Sequence, residues 1–541
     1  MASPLTFRNL TPTSIVLKSL ERFEDPDMGK SRATAFPSAS NSCQSIPPSA
    51  PELGLHVRTF ERQDVDIELQ AWESYTLPAH IPGQYPLNPS SMLSSTILRI
   101  TFQNEAQQRF RIDINVSYTR KASCTLKPLT PNPTTSYTAL YHPTAPTPHL
   151  TIHSHHLLNY SKWMQSLPNT LPLSAISLPG THNSHTHYRA LPSVRCQTVD
   201  IATQLRNGIR FLDIRVQPAS AVDASKKDLY LVHGAFPVSL MGSKYLAPVL
   251  DVIYNYLSAN PSETILVSLK REGIGSATDA QLATILEKHY ISLNAEKWYI
   301  NDQIPYLGDV RGRIVLVRRY TLSEQVSSPG FDVIEEVGPG LDATAWPNNS
   351  THALHGPFCV QDFCEIMHTS MILDKLQHCN AHLVRAASLT HFVPGINTDT
   401  LNPVPPGPLY LNFLSGSNFF NVGTWPEKIA KIVNRGVEEW ICTSHHLKDP
   451  VTAPLDSEST HWGDGQKGGE VKRTNEGDGG AGVVIMDMVG EKGDWDLRRY
   501  SKVEIRDTGF MYLQALRHDT SSSYDLTSEM LSWSWYMWAR M

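Results

Sequence analysis

Between Ser154 and Met486 the chain repeats one rhythm, in which short apolar runs of strand length alternate with stretches long enough for a helix. This is the pattern of parallel βα units. The expected strands are Ala175–Leu178, Phe211–Val216, Tyr230–Val232, Ile265–Leu269, Ile314–Val317, Leu409–Leu414 and Val483–Met486. Ala247–Ala259 reads as a helix closed by Asn260-Pro261, because the residue before a proline is pushed out of the helical region. The fold class is therefore α/β, and a barrel of such units carries its active site at the carboxyl ends of its strands. A length of 541 residues leaves room for a large barrel and an accessory module.

The first 150 residues have a different texture. Alternation or β-branched enrichment marks Ser14–Phe23, His56–Thr59, Asp64–Ala71, Thr96–Thr101 and Arg109–Val116, so 1–150 is expected to form an all-β, sandwich-like domain. Asp25–Pro51, rich in Ser, Pro and small residues, reads as a loop. The proline-spaced Tyr141–His149 reads as a boundary, with the second domain spanning about 154–520. Inside it, Asp449–Gly480 mixes Gly with Asp, Glu, Lys and Thr and is expected to be a disordered insertion. Residues 521–541 read as a tail, although Trp533, Trp535, Tyr536 and Trp538 also suit a lipid headgroup layer.

Charge and cysteine usage exclude several classes. With 46 Lys and Arg against 52 Asp and Glu, the net charge is -6, and no broad basic field exists to neutralise a nucleic-acid backbone. Seven cysteines, an odd count with no CxxC, indicate neither a disulfide framework nor a zinc knuckle. No signal peptide is visible at the start, and no apolar run reaches the length of about 18 residues that a membrane span requires. A cytoplasmic protein is expected.

Several polar residues fall where a βα barrel keeps its chemistry. His182 follows the first strand in LSAISLPGTHNS, where Pro179-Gly180 is expected to supply a tight turn. Asp213 and Arg215 in FLDIRV lie two residues apart and so share one face of a strand. Unpaired buried charge is costly, so these two must meet partners or a cavity. His233 ends YLVHG, and Lys270 ends TILVSLK. Two imidazoles, two cations and a carboxylate at strand ends suit a phosphodiester. One imidazole takes a proton from an attacking hydroxyl and the other gives one to the leaving alkoxide. A guanidinium stabilises charge on the non-bridging oxygens.

The runs SKWMQSLPNTLPLSAISLPGTHNS, GIRFLDIRV, LVHGAFP, NPSETILVSLKRE and LGDVRGRIVLVRRY occur in that order between Ser161 and Tyr320. Together they resemble the catalytic X domain of bacterial-type phosphatidylinositol-specific phospholipase C, a PLC-like phosphodiesterase. The resemblance is close from Ser161 to Arg319 and weakens to about Arg506. It implies a distorted, incompletely closed TIM barrel that cleaves phosphatidylinositol, or its glycosylated form, to diacylglycerol and inositol 1,2-cyclic phosphate. It further implies His182 as general base, His233 as general acid and Arg215 as the cation on the phosphate. Asp213 would orient Arg215, and Asp487 in VVIMDMVG would fix the tautomer of the base. Lys270, Arg319 and Asp362 resemble the groups that bond inositol hydroxyls.

Two positions depart from the bacterial pattern. Asn183 replaces an aspartate that supports the acid histidine and the arginine, and Cys364 in VQDFCEI falls where an inositol-stacking tyrosine is expected, with Phe363 as a substitute. Calcium-dependent relatives carry Asn at the first of these positions as a metal ligand. Their other ligands, however, include carboxylates where this chain has Arg215 and Lys270, and Ca²⁺ requires six to eight oxygens. No cofactor is therefore expected, with Ca²⁺ as the alternative. His182, His185 and His187 lack a ligand-spaced carboxylate or cysteine and are not read as a metal set. The expected partner is a phospholipid membrane surface, met by a monomer. The alternatives are a catalytically weak or silent phosphoinositide-binding protein and a divalent-metal-dependent phosphodiesterase on the same barrel.

Overall fold

The computed structural model describes residues 4–24, 58–77, 96–115, 122–143, 147–154, 160–322, 338–445 and 477–489, apart from positions 12, 72, 192 and 224. The expected loop Asp25–Pro51, most of the insertion Asp449–Gly480 and the tail 521–541 lie outside the described residues. The chain divides into two compact units, one holding Met1–Leu158 and another holding Asn159–Trp440 and Gly477–Asp494.

The first unit contains two five-stranded sheets. One has the order Ser74–Leu77, Leu5–Asn9, His149–Ser154, Tyr137–His142, Ala122–Thr125, and the other Arg58–Leu69, Ile15–Glu24, Thr96–Asn104, Arg109–Asn115, Lys127–Pro128. Period-2 alternation sends Phe7, Leu150 and Tyr137 from one sheet and Leu17, Ile100, Phe102 and Phe110 from the other into a shared core. The Tyr137 ring stands edge-on to Phe102 and Phe110, at centroid distances of 5.2 and 4.7 Å.

Two expectations need correcting here. Tyr141–His149 is not a boundary, because Tyr137–His142 and His149–Ser154 pair antiparallel across it. Pro143 and Pro148 lie in the connection, where no ladder N–H is required. The segments expected at His56–Thr59 and Asp64–Ala71 form one strand, Arg58–Leu69.

The second unit is built on a curled α/β sheet. Its parallel strands run in the order Ile314–Arg319, Ile265–Arg271, Phe211–Pro218, Leu178–Thr181, Val483–Met486, Leu409–Phe413, Phe358–Gln361. Among the described residues, the seventh of these strands in chain order therefore sits between the first and the sixth. Among the described residues no backbone ladder joins the two ends of this sheet. The strands are apolar on both faces, as expected of a sheet covered by helices. The helix Leu246–Ala259 buries Leu246, Val249, Leu250, Ile253 and Leu257, one stripe at helical spacing, and ends at Asn260 before Pro261. At the amino end of the strands, the fully buried Arg210 pairs with Glu263 at 2.7 Å and donates to the carbonyls of Leu205, Ile209 and Tyr160.

The first strand is shifted from its expected place. Leu173–Ala175 is a 3-10 turn and the strand is Leu178–Thr181, with Pro179 and Gly180 inside it. Gly180 serves close approach, since a Cβ there would lie 2.9 Å from Cβ of Phe211. The turn is made instead at Asn183, whose φ of 43° is a left-handed conformation that asparagine tolerates. Gly477–Gly480 also depart from expectation, since Asp478 and Gly479 donate backbone bonds to Leu389 and Ala387.

Candidate active site

Each strand of the curled sheet delivers polar groups to its carboxyl end. His182 and Asn183 follow Leu178–Thr181, Asp213 and Arg215 lie in Phe211–Pro218, and His233 closes Leu229–His233. Lys270 and Glu272 fall at the end of Ile265–Arg271, Arg319 closes Ile314–Arg319, and Asp362 and Asp487 follow Phe358–Gln361 and Val483–Met486. All nine residues singled out in the sequence thus reach one rim.

The two imidazoles stand perpendicular with ring centroids 6.1 Å apart. His182 Nδ1 lies 2.8 Å from the Asp487 carboxylate, which accepts its proton and leaves Nε2 as the basic nitrogen. Nε2 meets the side-chain amide of Asn183 at 3.1 Å, an N–H donor to that lone pair. Asn434 donates to the Asp487 carbonyl at 2.9 Å, and Gln197 donates to the carbonyls of His182 and Met486, so the backbone under this pair is fixed. His233 Nδ1 donates to the Val194 carbonyl at 2.8 Å. Burial, then Arg215 and His182, push the His233 imidazole down to about 4.

The charged groups form one network. Asp213, fully buried, accepts from Arg215 at 3.1 Å, from Arg319 at 3.5 Å and from the Asn183 backbone N–H at 3.1 Å. Burial alone would raise its carboxyl, yet the guanidiniums of Arg215 and Arg319 hold it well below the usual carboxylate range. Burial opposes the charge of Arg215, but Asp213 and Glu272 outweigh it and raise that guanidinium further. Asp362 acts on Arg215 and Arg319 through its charge.

Sequence reasoning missed three contributors. Glu272 accepts from Arg215 at 2.8 Å, Lys270 at 3.1 Å and the Gly234 backbone N–H at 2.9 Å. Burial would raise its carboxyl, but Arg215 and Lys270 bring it down to about 2. Its signal was present in SLKRE, two residues beyond Lys270 on the same strand face. Trp346 lies beneath Arg319, with the guanidinium carbon 3.7 Å from the ring centroid, and Phe413 stands 5.8 Å from Trp346 and 6.3 Å from His182. These two rings flank Arg319 and His182, near the position where an inositol-stacking residue was expected at Cys364 or Phe363. Phe363, two residues beyond the strand Phe358–Gln361, stands edge-on to His378 at 5.0 Å, on the helix Met371–Ala387. Cys364 is half-buried, and burial pushes its thiol up to about 11. His185 donates to the Val232 carbonyl at 3.0 Å from a fully buried position, and His187 packs on Tyr188.

Residues 170–320 match the family described as phosphatidylinositol-specific phospholipase C, X domain. The 1-phosphatidylinositol phosphodiesterase of Listeria monocytogenes is 33% identical over 165 residues, covering 29% of this chain and 48% of the relative. The enzyme of that name from Staphylococcus aureus strain Newman is 29% identical over 204 residues, covering 35% of this chain and 58% of the relative. PI-PLC X domain-containing protein 1 of Homo sapiens is 26% identical over 144 residues, covering 21% and 42%. The chain thus spans about half the length of the curated relatives it matches. Among solved structures, a phosphatidylinositol-specific phospholipase C from Staphylococcus aureus aligns with TM-score 0.45 and 19% identity, over 69% of this chain and 97% of that one. The Listeria monocytogenes structure aligns with TM-score 0.39 and 20% identity, over 61% and 94%. Residues 170–320 are thus similar to the phosphatidylinositol-specific phospholipase C X domain, and bacterial 1-phosphatidylinositol phosphodiesterases are among the relatives they match.

Proposed function

We propose that the second unit, a distorted TIM barrel left open at one seam, cleaves phosphatidylinositol or its glycosylated form to diacylglycerol and inositol 1,2-cyclic phosphate. The observation that carries this is the perpendicular pair of imidazoles 6.1 Å apart, each with Nδ1 engaged and Nε2 turned to other work. His182 Nε2 takes the proton of the inositol 2-hydroxyl as its oxygen attacks phosphorus. The nucleophile is tethered to its target, so effective molarity supplies much of the rate. His233 gives a proton to the departing diacylglycerol oxygen. Its imidazole is neutral in the ligand-free site, and the anionic diester, arriving beside it, favours the protonated form. Arg215, aimed by Asp213 and Glu272, stabilises charge on the non-bridging oxygens. Lys270, Arg319 and Asp362 bond the inositol hydroxyls, with Trp346 and Phe413 as the apolar wall.

The donor set argues against calcium in this reaction. The carboxylates of Asp213 and Glu272 are already neutralised by Arg215, Arg319 and Lys270, and a divalent ion would meet three fixed cations. This supports a metal-independent reaction. A lipid surface as the place of action is supported by the loops beyond the strand ends, where Leu240, Met241, Met367, Phe420 and Val422 are exposed and Phe419 stacks on Phe236. Among the described residues no helix is long and apolar enough to cross a membrane, which suits peripheral attachment. The first unit is proposed as a separate β-sandwich accessory domain.

Release of water-soluble inositol phosphate from phosphatidylinositol vesicles, with EDTA and with added Ca²⁺, tests the proposal. Equal cyclic product in both supports it, and His182→Ala should abolish turnover while vesicle binding persists. Release only with Ca²⁺ would overturn the metal-free mechanism. Binding without release in either condition would leave a silent phosphoinositide-binding protein.

A further inference from the structure

The outer layer of the second unit gathers His352, Cys359 and His382 in one place. Cys359 lies in the strand Phe358–Gln361 with its side chain away from the catalytic rim, His382 faces it from the helix Met371–Ala387, and His352 precedes the strand Ala353–His355. One nitrogen from each histidine and the Cys359 sulfur all lie within 4.8 Å of one another. Cys359 Sγ and His352 Nδ1 are 3.5 Å apart. Metal–sulfur and metal–nitrogen bonds of about 2.3 and about 2.0 Å at a tetrahedral angle would separate the two donors by about 3.5 Å.

A second observation points to a missing ligand. His382 is completely buried, and neither ring nitrogen has a hydrogen-bonding partner of acceptable geometry, although the Cys359 backbone lies close. A buried imidazole with two idle nitrogens is costly, and a metal ion would relieve one of them. The Tyr410 hydroxyl, on the neighbouring strand, bonds the thiol and supplies an outer-shell contact. His352 is exposed and gives the ion a way in.

We propose that His352, Cys359 and His382 bind one zinc ion through the Cys359 thiolate and two neutral imidazoles, leaving a fourth position for water. Binding releases the thiol proton to solvent as the sulfur–zinc bond forms. The ion lies behind the sheet from His182 and His233, so its role is to tie strand to helix. Sequence spacing gave no warning, since the three ligands fit no recognised zinc motif and only the fold brings them together.

The test is equilibrium zinc binding by the chelator-stripped full chain, followed by competition with a chromophoric chelator and by the thermal midpoint, together with cobalt substitution. The wild type should take up one zinc, gain thermal stability from it, and show thiolate-to-cobalt charge transfer. His352→Ala, at an exposed position that the fold does not need, should weaken binding at least tenfold, and Cys359→Ser should abolish the charge-transfer band. Cys196→Ala controls for the rim group His182, Cys196 and Asp487, whose donor atoms are also close together, and should leave both signals intact. Undiminished zinc affinity in His352→Ala, loss of the band in Cys196→Ala, or no stoichiometric zinc in the wild type would each overturn the proposal. None of these readouts depends on lipid cleavage.

Discussion

The Nδ1 atom of His182 lies 2.8 Å from the Asp487 carboxylate across 305 residues of chain. In the proposed mechanism the pair is half of the acid–base machinery, and its carboxylate is almost completely buried. Asp487→Asn would offer an amide in place of the acceptor and permit the wrong tautomer. Turnover should fall about 10²- to 10⁴-fold with little change in KM, measured as inositol phosphate release.

Asn183 donates its amide to the His182 lone pair that the proposed mechanism uses as base. Substrate has to displace that bond before the base can act. Asn183→Asp removes the donor and restores a carboxylate beside both histidines, and metal-free turnover should rise several-fold. A fall in the EDTA assay would count against the roles given to this pair.

Glu272 holds Arg215 and Lys270 with one carboxylate. Glu272→Gln keeps the shape and removes the charge that aims both cations. The expected loss in kcat/KM is about 2 kcal/mol, or roughly thirtyfold, the scale of one charge-assisted bond. Soluble cyclic inositol phosphate hydrolysis and vesicle cleavage should suffer alike, because both require the same phosphate contact.

Trp346 seats Arg319 by a cation–π contact. Trp346→Ala should cost about 1 kcal/mol in kcat/KM, close to fivefold. Trp346→Phe should recover most of it, which separates the contact from a general loss of packing.

His185 carries a stability signature. Burial, the largest influence, pushes its imidazole down to about 4, against an ordinary value near 6.5. Between those two values the unfolded chain binds a proton that the folded chain refuses, so stability falls as the pH falls from 6.5 to about 4 and no further through this group. One proton corresponds to about a tenfold change in the unfolding equilibrium per pH unit. In urea titrations across that range, His185→Gln should show a shallower dependence than the wild type by up to this factor.

Much of the rim was legible because its chemistry lies in short motifs at strand ends. His182, Asp213, Arg215, His233 and Lys270 could be placed from alternation and strand length alone, and Asp487 from a loose family likeness that the structure brings to the base. The helix Met371–Ala387 was not legible, because its inward face carries Lys375, Cys379 and His382 where apolar residues are expected. Lys375 is tolerated there by its bond to Gln361 at 3.0 Å. The strand Phe358–Gln361 is only four residues long and hid for a related reason, since a short apolar run carries little periodicity. Pro179 and Gly180 looked like a turn because they so often make one. Here the absent glycine Cβ serves strand contact, a distinction that only the position of Phe211 reveals.

The strand Val483–Met486 is the last parallel strand among the described residues, yet it hydrogen-bonds Leu178–Thr181 on one side and Leu409–Phe413 on the other. During synthesis the sheet must therefore wait with a vacant slot at its centre until the ribosome has delivered nearly the whole second unit. The same strand brings Asp487 to His182, so the base receives its orienting carboxylate only when that slot is filled. On the proposed mechanism, catalytic competence would then wait on that strand: a truncated product ending before Val483 would hold both histidines and the arginine network, yet lack the carboxylate that orients the base.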